Sequence, residues 1–329
     1  MKTTINKTIT VLERLSNKYK NINSNLLNVT YSEDEASAIN TSLNNILALL
    51  GNNGTAEADL VALGILPKQI SEFTNDDIGT IISIPYSDES GIIQGPIEFE
   101  VVGVNHHKDI NDETKPTITL MSKDILRSAA FDGKEPSNPL YDEEYGKNMR
   151  QTHGNNRWSV SNIRQWLNSE GAANSWFTPQ HEYDTEPNTS NVGYGELGAY
   201  SDEAGFLAGF SSDIKQHIAT VKNKTILCAA DKSALSKDYE ETEDKVFLPS
   251  YTEIGFGNLD STNPEGTHLS NKFINEDNRI KNRHENQYWL RSPYHDTSYT
   301  VYFVDGNGTN SHIFAYSDYV GVAPLIVLC

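Results

Sequence analysis

The residues best suited to binding chemistry lie near the C-terminus, between a YWLRSP segment at residues 288–293 and a GVAPL segment at residues 321–325. Tyrosine offers a large, rigid contact area at little entropic cost, while serine, aspartate and histidine offer adaptable polar contacts. These could be ordinary outward residues of a hairpin, but the apolar ones are aromatic rather than aliphatic, which favours a ligand-binding face. The predicted face comprises Tyr294, His295, Asp296, Tyr299, His312, Phe314, Tyr316, Asp318 and Tyr319.

The two cysteines give little support for catalysis. Cys228 lies in an Ile-Leu-Cys-Ala-Ala run, which predicts a buried and therefore inert thiol, and Cys329 is the last residue of the sequence. Two cysteines cannot build a disulfide framework or, without several histidines, a zinc site. We therefore predict no catalytic residue, and we expect the protein not to be an enzyme.

Histidines and carboxylates are spaced poorly for a metal ion. His106 and His107 are adjacent, so on a strand they would point to opposite faces, and a solvated loop tip is the simpler interpretation. His181, Asp184 and Glu186 share a polar loop that could hold a cation, which stays open as an alternative.

Two short segments resemble calcium motifs. Residues 305–310, Asp-Gly-Asn-Gly-Thr-Asn, carry oxygen side chains at alternate positions, yet the bidentate glutamate of a calcium loop is missing downstream. The Asn-Gly pair instead favours a tight β-hairpin turn. The Glu-Pro-Asn tripeptide at residues 186–188 matches a sugar-binding calcium motif only superficially. We predict no bound metal and no cofactor.

The charge of the chain limits its partners. Among 329 residues, 26 Lys and Arg against 45 Asp and Glu give a formal charge of −19. Such a surface repels phosphate backbones, which excludes nonspecific nucleic-acid binding. No window holds the roughly 18 consecutive apolar residues of a membrane-spanning helix, and the N-terminus lacks the apolar core of a secretory signal. We expect a protein assembled in the cytoplasm, without membrane insertion.

The periodicity of the apolar residues changes near residue 78. Before it, they recur at three- and four-residue steps, and the Ser-Glu-Asp-Glu segment at residues 32–35 fits a helix capping box. We expect residues 1–77 to form a helical attachment or oligomerisation module, although a helical prefix packed on the main domain is an alternative. The apolar stripe from Leu43 to Leu50 favours a partner surface and hence a homo-oligomer.

From residue 78 onward, alternation with period two predicts strands joined by long irregular stretches. Helices are expected to begin at Ser161 and Ser212, whose hydroxyls suit N-caps. Trp166, Trp289 and Phe247 are predicted core residues. Together these patterns predict an α+β domain. The expected strands are residues 96–104, 117–121, 244–249, 288–292, 300–305, 311–316 and 321–328.

Six segments follow one another within residues 78–329, namely PIEFEVVGV, TLMSKDIL, NIRQWLN, DKVFLPSYTEI, YWLRSP and GVAPL. In this order they resemble the C-type-lectin-like domain of Gram-positive bacterial and phage proteins. That domain is similar to the formylglycine-generating-enzyme fold and to the variable proteins of diversity-generating retroelements. One departure is Ala323, where the family usually has the arginine of GVRP.

The resemblance implies a fold and a role. The fold would be a C-type-lectin-like domain preceded by the helical module, with its ligand-binding face near the C-terminus, as in the retroelement proteins. We expect a noncatalytic structural protein of a phage or prophage virion, such as a capsid decoration, tail-fibre or baseplate component. It would contact other virion proteins through residues 1–77 and bind a host-surface glycan or protein. The alternatives are a formylglycine-generating-type enzyme and a bacterial interaction protein without a carbohydrate role.

Overall fold

The computed structural model describes residues 60–139, 149–193, 198–281 and 286–329. Ala58–Cys329 form one compact unit. Its described residues combine sheets with a few short helices, which agrees with the α+β class. The helices predicted within residues 1–59 lie outside the described residues, and so does most of the predicted helical module.

The described strands coincide largely with the segments where side chains alternate in the sequence. Each central strand begins or ends within a few residues of its predicted bounds. The strands are β1 (Ile81–Ile84), β2 (Ile97–Val104), β3 (Ile118–Ser122), β4 (Val221–Ile226), β5 (Tyr239–Asp244), β6 (Val246–Phe247), β7 (Tyr288–Pro293), β8 (Thr300–Val304), β9 (Asn310–Phe314) and β10 (Leu325–Leu328).

The largest sheet has five antiparallel strands in the order β1-β2-β3-β10-β6. The C-terminal strand β10 is therefore an interior strand, with Ile326 paired to Leu120 on one side and to Val246 on the other. All four residues of β10 are buried, as expected for a strand covered on both faces. Residues far apart in the chain thus meet in the middle of this sheet.

A two-stranded sheet of β4 and β5 was not expected from the sequence, because its segments VKNKTI and YEETED are rich in charge. Their register explains why they pair. Lys222 lies opposite Glu243, and Lys224 lies opposite Glu241, so opposite charges face each other across the strands. Charge patterning across two strands is invisible to a search for apolar alternation along one strand.

A third sheet has the strand order β7-β8-β9, and the predicted hairpin turn joins β8 to β9. The Asp305 carboxylate fixes this turn, since its Oδ1 accepts hydrogen bonds from the backbone N–H groups of Asn307 and Thr309, both at 2.9 Å. Its Oδ2 accepts a third bond, at 2.7 Å, from the Thr309 hydroxyl. The hairpin prediction for residues 305–310 is confirmed.

The helices are short, and one starts elsewhere than predicted. Ser161 caps its helix as expected, with the Ser161 hydroxyl accepting from the N–H of Arg164. The next helix begins after Ser211 rather than Ser212, because Ser211 has the extended backbone of an N-cap, and Val221 starts β4 instead of facing inward on that helix. The helices are α1 (Arg150–His153), α2 (Asn162–Leu167), α3 (Ser212–Lys215) and α4 (Ala229–Leu235).

The core forms where the aromatic residues were predicted. Trp166, Trp289 and Phe247 are at most 1% exposed and belong to one hydrophobic cluster, which confirms the prediction. The Trp289 indole N–H donates to the backbone carbonyl of Ala129 at 2.7 Å, so burial leaves no polar group of the ring unpaired. Phe131 packs edge-on against Trp289, with ring centroids 5.8 Å apart.

Residues 60–77 also contribute to this core. Leu60, Leu66 and Phe73 are buried in the same hydrophobic cluster, and two 3₁₀ helices, Ile70–Glu72 and Asn75–Asp77, lead into β1. The division of the chain at residue 78 stays a prediction.

Trp289→Ala is expected to lower the free energy of unfolding by about 3–5 kcal/mol, because it removes a large buried ring. Urea denaturation followed by circular dichroism measures the effect. Leu235→Ala is the control, since Leu235 is 38% exposed and its truncation should change stability by less than about 0.5 kcal/mol. Equal stability losses in the two variants would contradict the assignment of Trp289 to the core.

Candidate functional site

The β7-β8-β9 sheet places aromatic side chains on its outward side. Tyr302 pairs with His312, and two residues along the strands Thr300 pairs with Phe314, so these side chains share one side of the hairpin. The alternate residues face inward, and Phe303 packs edge-on against the buried Trp289. One side of this sheet therefore builds the core while the other presents rings.

A first group of rings, the Tyr294 cluster, surrounds the middle of the hairpin. The Tyr294 ring stacks on His312 with centroids 3.9 Å apart and planes 17° apart. Tyr302 lies 5.6 Å from Tyr294, and Tyr251 lies 4.7 Å from Tyr302. Phe256 extends the row, 5.1 Å from Tyr251.

A second group, the Phe314 cluster, lies beside the first and includes a residue from a distant helix. His153, the last residue of α1, places its ring 4.2 Å from Phe314 and 5.2 Å from Tyr299. The Tyr316 ring is stacked on Phe314, with planes 18° apart and centroids 5.9 Å apart. We call the two clusters together the aromatic face.

The predicted face residues differ in their access to solvent. His295, Asp296 and His312 are exposed, and four others are half-buried, namely Tyr294, Tyr299, Phe314 and Tyr319. Tyr316 and Asp318 are buried, so these two can support the face from below but do not present their side chains to solvent.

Sequence reasoning missed four contributors to the aromatic face, namely Tyr302, Tyr251, Phe256 and His153. Tyr302 lies between predicted face residues in the sequence, and the strand register places it on the same side of the hairpin as His312, where its side chain is buried. Tyr251 and His153 come from segments far from the C-terminal hairpin. No local pattern marks His153, because α1 is only one turn long and lies in a stretch predicted to be irregular.

Both histidines of the aromatic face are suited to stacking in their neutral form. Burial lowers the pKa of His312, and burial, together with the nearby Lys134 ammonium, lowers the pKa of His153. A neutral imidazole at pH 7 packs on rings without the cost of burying a charge. The face thus combines neutral aromatic groups with few full charges.

Buried hydrogen bonds position Tyr251, and with it the Tyr294 cluster, on the core side. The backbone N–H of Tyr251 donates to the Ser292 hydroxyl at 2.8 Å, and that hydroxyl donates to the Glu265 carboxylate. Glu265 also accepts a bond from the N–H of Ile226 at 3.0 Å. Burial raises the pKa of Glu265 to about 7, although the Arg291 charge opposes the shift.

The residue before Ser292 on β7, Arg291, forms the most enclosed ion pair of this region. Its two terminal nitrogens contact the two Glu253 oxygens at 2.6 and 2.8 Å. The His107 Nε2 lies 3.2 Å from Glu253, and His107 Nδ1 lies 3.1 Å from the Thr119 hydroxyl. Burial would raise the pKa of Glu253, but Arg291 and His107 hold it well below its usual range.

The solvated loop tip expected at His106 and His107 is therefore wrong for His107. That residue is 9% exposed and belongs to the buried network of Glu253. The two imidazole rings lie 4.6 Å apart, and burial lowers the pKa of His106 to about 4. The polar sequence around them gave no indication that a buried carboxylate, 146 residues away, would be the partner of His107.

The loop with His181 and Asp184 is tied to neighbouring side chains. His181 Nε2 lies 3.1 Å from Glu135, and Asp184 accepts a hydrogen bond from the Asn162 amide at 2.9 Å. Among the described residues, no group of three histidine, cysteine or acidic side chains is arranged to hold a metal ion. The expected absence of metals and cofactors stays a prediction.

The two cysteines carry thiols rather than a disulfide. Burial raises the pKa of Cys228 to about 12, and its sulfur contacts the Asp231 carboxylate at 3.1 Å. The thiolate, which is the reactive form, is therefore scarce at pH 7. Cys329 lies at the end of β10, and its N–H donates to the carbonyl of His217 at 3.1 Å.

A concave region elsewhere on the surface shares no lining residue with the aromatic face. This cleft, with a volume of about 670 Å³, is lined by residues that include Arg157, Lys237, Tyr239, Glu240 and Glu241. Arg157 contacts Glu240 at 2.7 Å across its wall, so opposite charges already pair there.

The described part of the chain contains no helix long and apolar enough to cross a membrane. A comparison with protein families finds a match to the model described as a domain of unknown function, DUF6273, over residues 117–329. The matched residues include every residue of the aromatic face. No curated protein and no solved structure matches the chain.

Glu265 should make the free energy of unfolding depend on pH. Its pKa in the folded state, about 7, lies above the ordinary value of 4.5, so the unfolded state ionises first as the pH rises. Relative to Glu265→Gln, the wild type should lose up to about 3 kcal/mol of unfolding free energy between pH 4.5 and pH 7. Urea denaturation of both proteins across this range tests it, and parallel curves would refute it.

Proposed function

The chain belongs to the DUF6273 family, whose function is unknown, and from its aromatic face we propose that it is a noncatalytic binding protein for a host-surface ligand, foremost a glycan. The observation that carries the proposal is the row of aromatic rings on the outward side of one sheet. Aromatic rings pack well against the C–H faces of sugar rings, and they anchor protein partners equally well.

The rigidity of the aromatic face supports this role. Tyr302, His312 and Phe314 stand on the paired strands β8 and β9, and each ring of the face contacts a neighbouring ring. Little conformational freedom is therefore lost when a ligand packs on them. His312 and Phe314 are two residues apart on β9, on the order of 7 Å along the strand. The two clusters therefore form a continuous surface that suits an extended ligand better than a single small molecule.

We also propose a setting and a finer fold for this activity. The motif order supports a C-type-lectin-like fold displayed on a phage or prophage particle, as a capsid decoration, tail-fibre or baseplate component. Residues 1–77 would contact other virion proteins or further copies of this chain. A gene neighbourhood that encodes phage structural proteins is the expected finding, and one that encodes only cellular functions would argue for a bacterial interaction protein.

Tyr299→Ala should weaken attachment to host cells by about tenfold or more without changing the melting temperature, because a few aromatic anchors carry most of the binding energy in such surfaces. Flow cytometry of labelled protein on a panel of Gram-positive cells measures attachment. Cells treated with periodate lose accessible glycans, and cells treated with protease lose surface proteins, so the two treatments separate the ligand classes.

Tyr239→Ala is the matched control, since Tyr239 is an exposed tyrosine of the cleft outside the aromatic face. Its attachment should equal that of the wild type. Equal attachment by the wild type and Tyr299→Ala, or attachment lost only with Tyr239→Ala, would refute the proposal for this face.

The full-length chain is expected to form an oligomer in solution, because residues 1–77 are proposed as a contact surface between copies. Light scattering coupled to size-exclusion chromatography should give a mass that is a multiple of one chain. A purely monomeric mass at micromolar concentration would contradict self-association and leave contact with other virion proteins as the role of this segment.

A further inference from the structure

We propose that the Phe314 cluster ends in a subsite for a negatively charged group, so that the ligand is an anionic saccharide with its acidic substituent at Lys134. This inference rests on the proposed binding function of the aromatic face and names its ligand class. It assigns a specificity-determining role to a residue outside the C-terminal hairpin.

The position of Lys134 carries the argument. Its ammonium lies 4.8 Å from the centre of the Tyr316 ring, and Tyr316 is stacked on Phe314. The side chain of Lys134 is half-buried, so it is neither fully solvated nor closed off from the surface. Because Tyr316 is buried, a sugar ring on Phe314 and Tyr299 would reach this cation with a substituent that extends over Tyr316.

The backbone around Lys134 is fixed before any ligand binds. The N–H of Lys134 donates to the carbonyl of Asn191 at 2.8 Å, and the Thr185 hydroxyl donates to the carbonyl of Lys134. The preceding N–H, that of Gly133, donates to the Asn162 side chain at 2.8 Å. A cation on a fixed backbone binds an anion at a lower entropic cost than one on a free loop.

The buried Asp132 connects this backbone to the aromatic rings. Its carboxylate accepts bonds from the N–H groups of Asn155 and Asn162, both at 2.9 Å. The carbonyl of His153, two residues before Asn155, accepts a bond from the N–H of Tyr316 at 3.0 Å. The same framework thus sets the positions of the ammonium and of the stacked rings.

The accessible charges at the two ends of the aromatic face differ in sign, since the Arg279 guanidinium over Phe256 and the carboxylates of Asp132 and Glu135, on either side of Lys134 in the chain, are buried. At the Tyr294 end, the exposed Asp296 carboxylate lies 2.9 Å from the imidazole of His295. At the Phe314 end, no carboxylate of the described residues lies within ion-pair distance of the Lys134 ammonium. An anionic group is therefore repelled at one end and attracted at the other, which orients the ligand.

The chemistry of the cation defines the ligand class. An ammonium binds carboxylate and phosphate as a point charge, so a uronic acid and a sugar phosphate are both accepted forms of the same ligand chemistry. The whole chain carries a formal charge of −19, so an acidic saccharide is repelled overall and depends on the local attraction of Lys134. A neutral saccharide gains no charge–charge attraction from this residue.

The test is to measure, by calorimetry, the affinity of the 329-residue protein for three oligosaccharides of equal length. They are a β-1,4-linked glucose hexamer, the glucuronic acid hexamer of the same linkage, and the glucose hexamer phosphorylated at O6. The wild type should bind at least one acidic hexamer about tenfold more tightly than the neutral one. Lys134→Gln should abolish that preference and leave the affinity for the neutral hexamer unchanged.

Two further variants separate charge from structure. Lys134→Arg keeps the positive charge and should keep the preference, and Lys237→Gln, in the cleft, should behave as the wild type. Loss of the preference in Lys237→Gln alone would overturn the inference, as would equal affinity of the wild type for neutral and acidic hexamers. Binding of no acidic hexamer would overturn it too.

The proposed function fails in a different way. It falls if Tyr299→Ala leaves cell attachment unchanged, whichever hexamer binds. The subsite inference falls alone if Tyr299→Ala weakens attachment while Lys134→Gln leaves the affinities for all three hexamers unchanged.

Discussion

Arg291 and Glu253 form a bidentate ion pair whose side chains are 1% and 2% exposed. Removing two charges from water is costly, and further hydrogen bonds offset this cost at most of the remaining atoms, although the buried Arg291 Nε has no hydrogen-bond partner among the described residues. Arg291 also donates to the carbonyls of Leu248 and Glu265, at 2.8 and 3.2 Å. Loss of either charge would leave the other buried and unpaired, which costs about 3–5 kcal/mol in proteins.

The aromatic face depends on this interaction through strand β7. Arg291 secures the strand and, with Glu253, joins it to the turn after β6 and to His107 beyond β2. The hydroxyl of the next residue, Ser292, accepts a hydrogen bond from the backbone N–H of Tyr251 and donates one to the Glu265 carboxylate. The buried network of Arg291 and Glu253 therefore restrains strand β7, and through Ser292 it restrains the backbone of Tyr251. The aromatic face gains rigidity from these buried contacts.

Stacked rings beside a half-buried ammonium suit the selection of one ligand class by an acidic protein. Rings alone accept many ligands, since stacking discriminates weakly among flat, apolar surfaces. The net negative charge disfavours acidic ligands everywhere except near a local positive group, so Lys134 beside Tyr316 would make position and charge act together. Specificity would then arise from repulsion by the rest of the chain as much as from attraction at one site.

The sequence by itself determined the features that depend on near neighbours. The Ser161 cap, the Asp305 turn and the strand β8 follow from residues at most four positions apart, so a local pattern predicts them. Only the tertiary structure decided that His153 joins the aromatic face and that Glu253 pairs with Arg291. Such contacts depend on how distant segments pack, and the free energy of packing is shared among many residues, none of which carries a local mark of its partner.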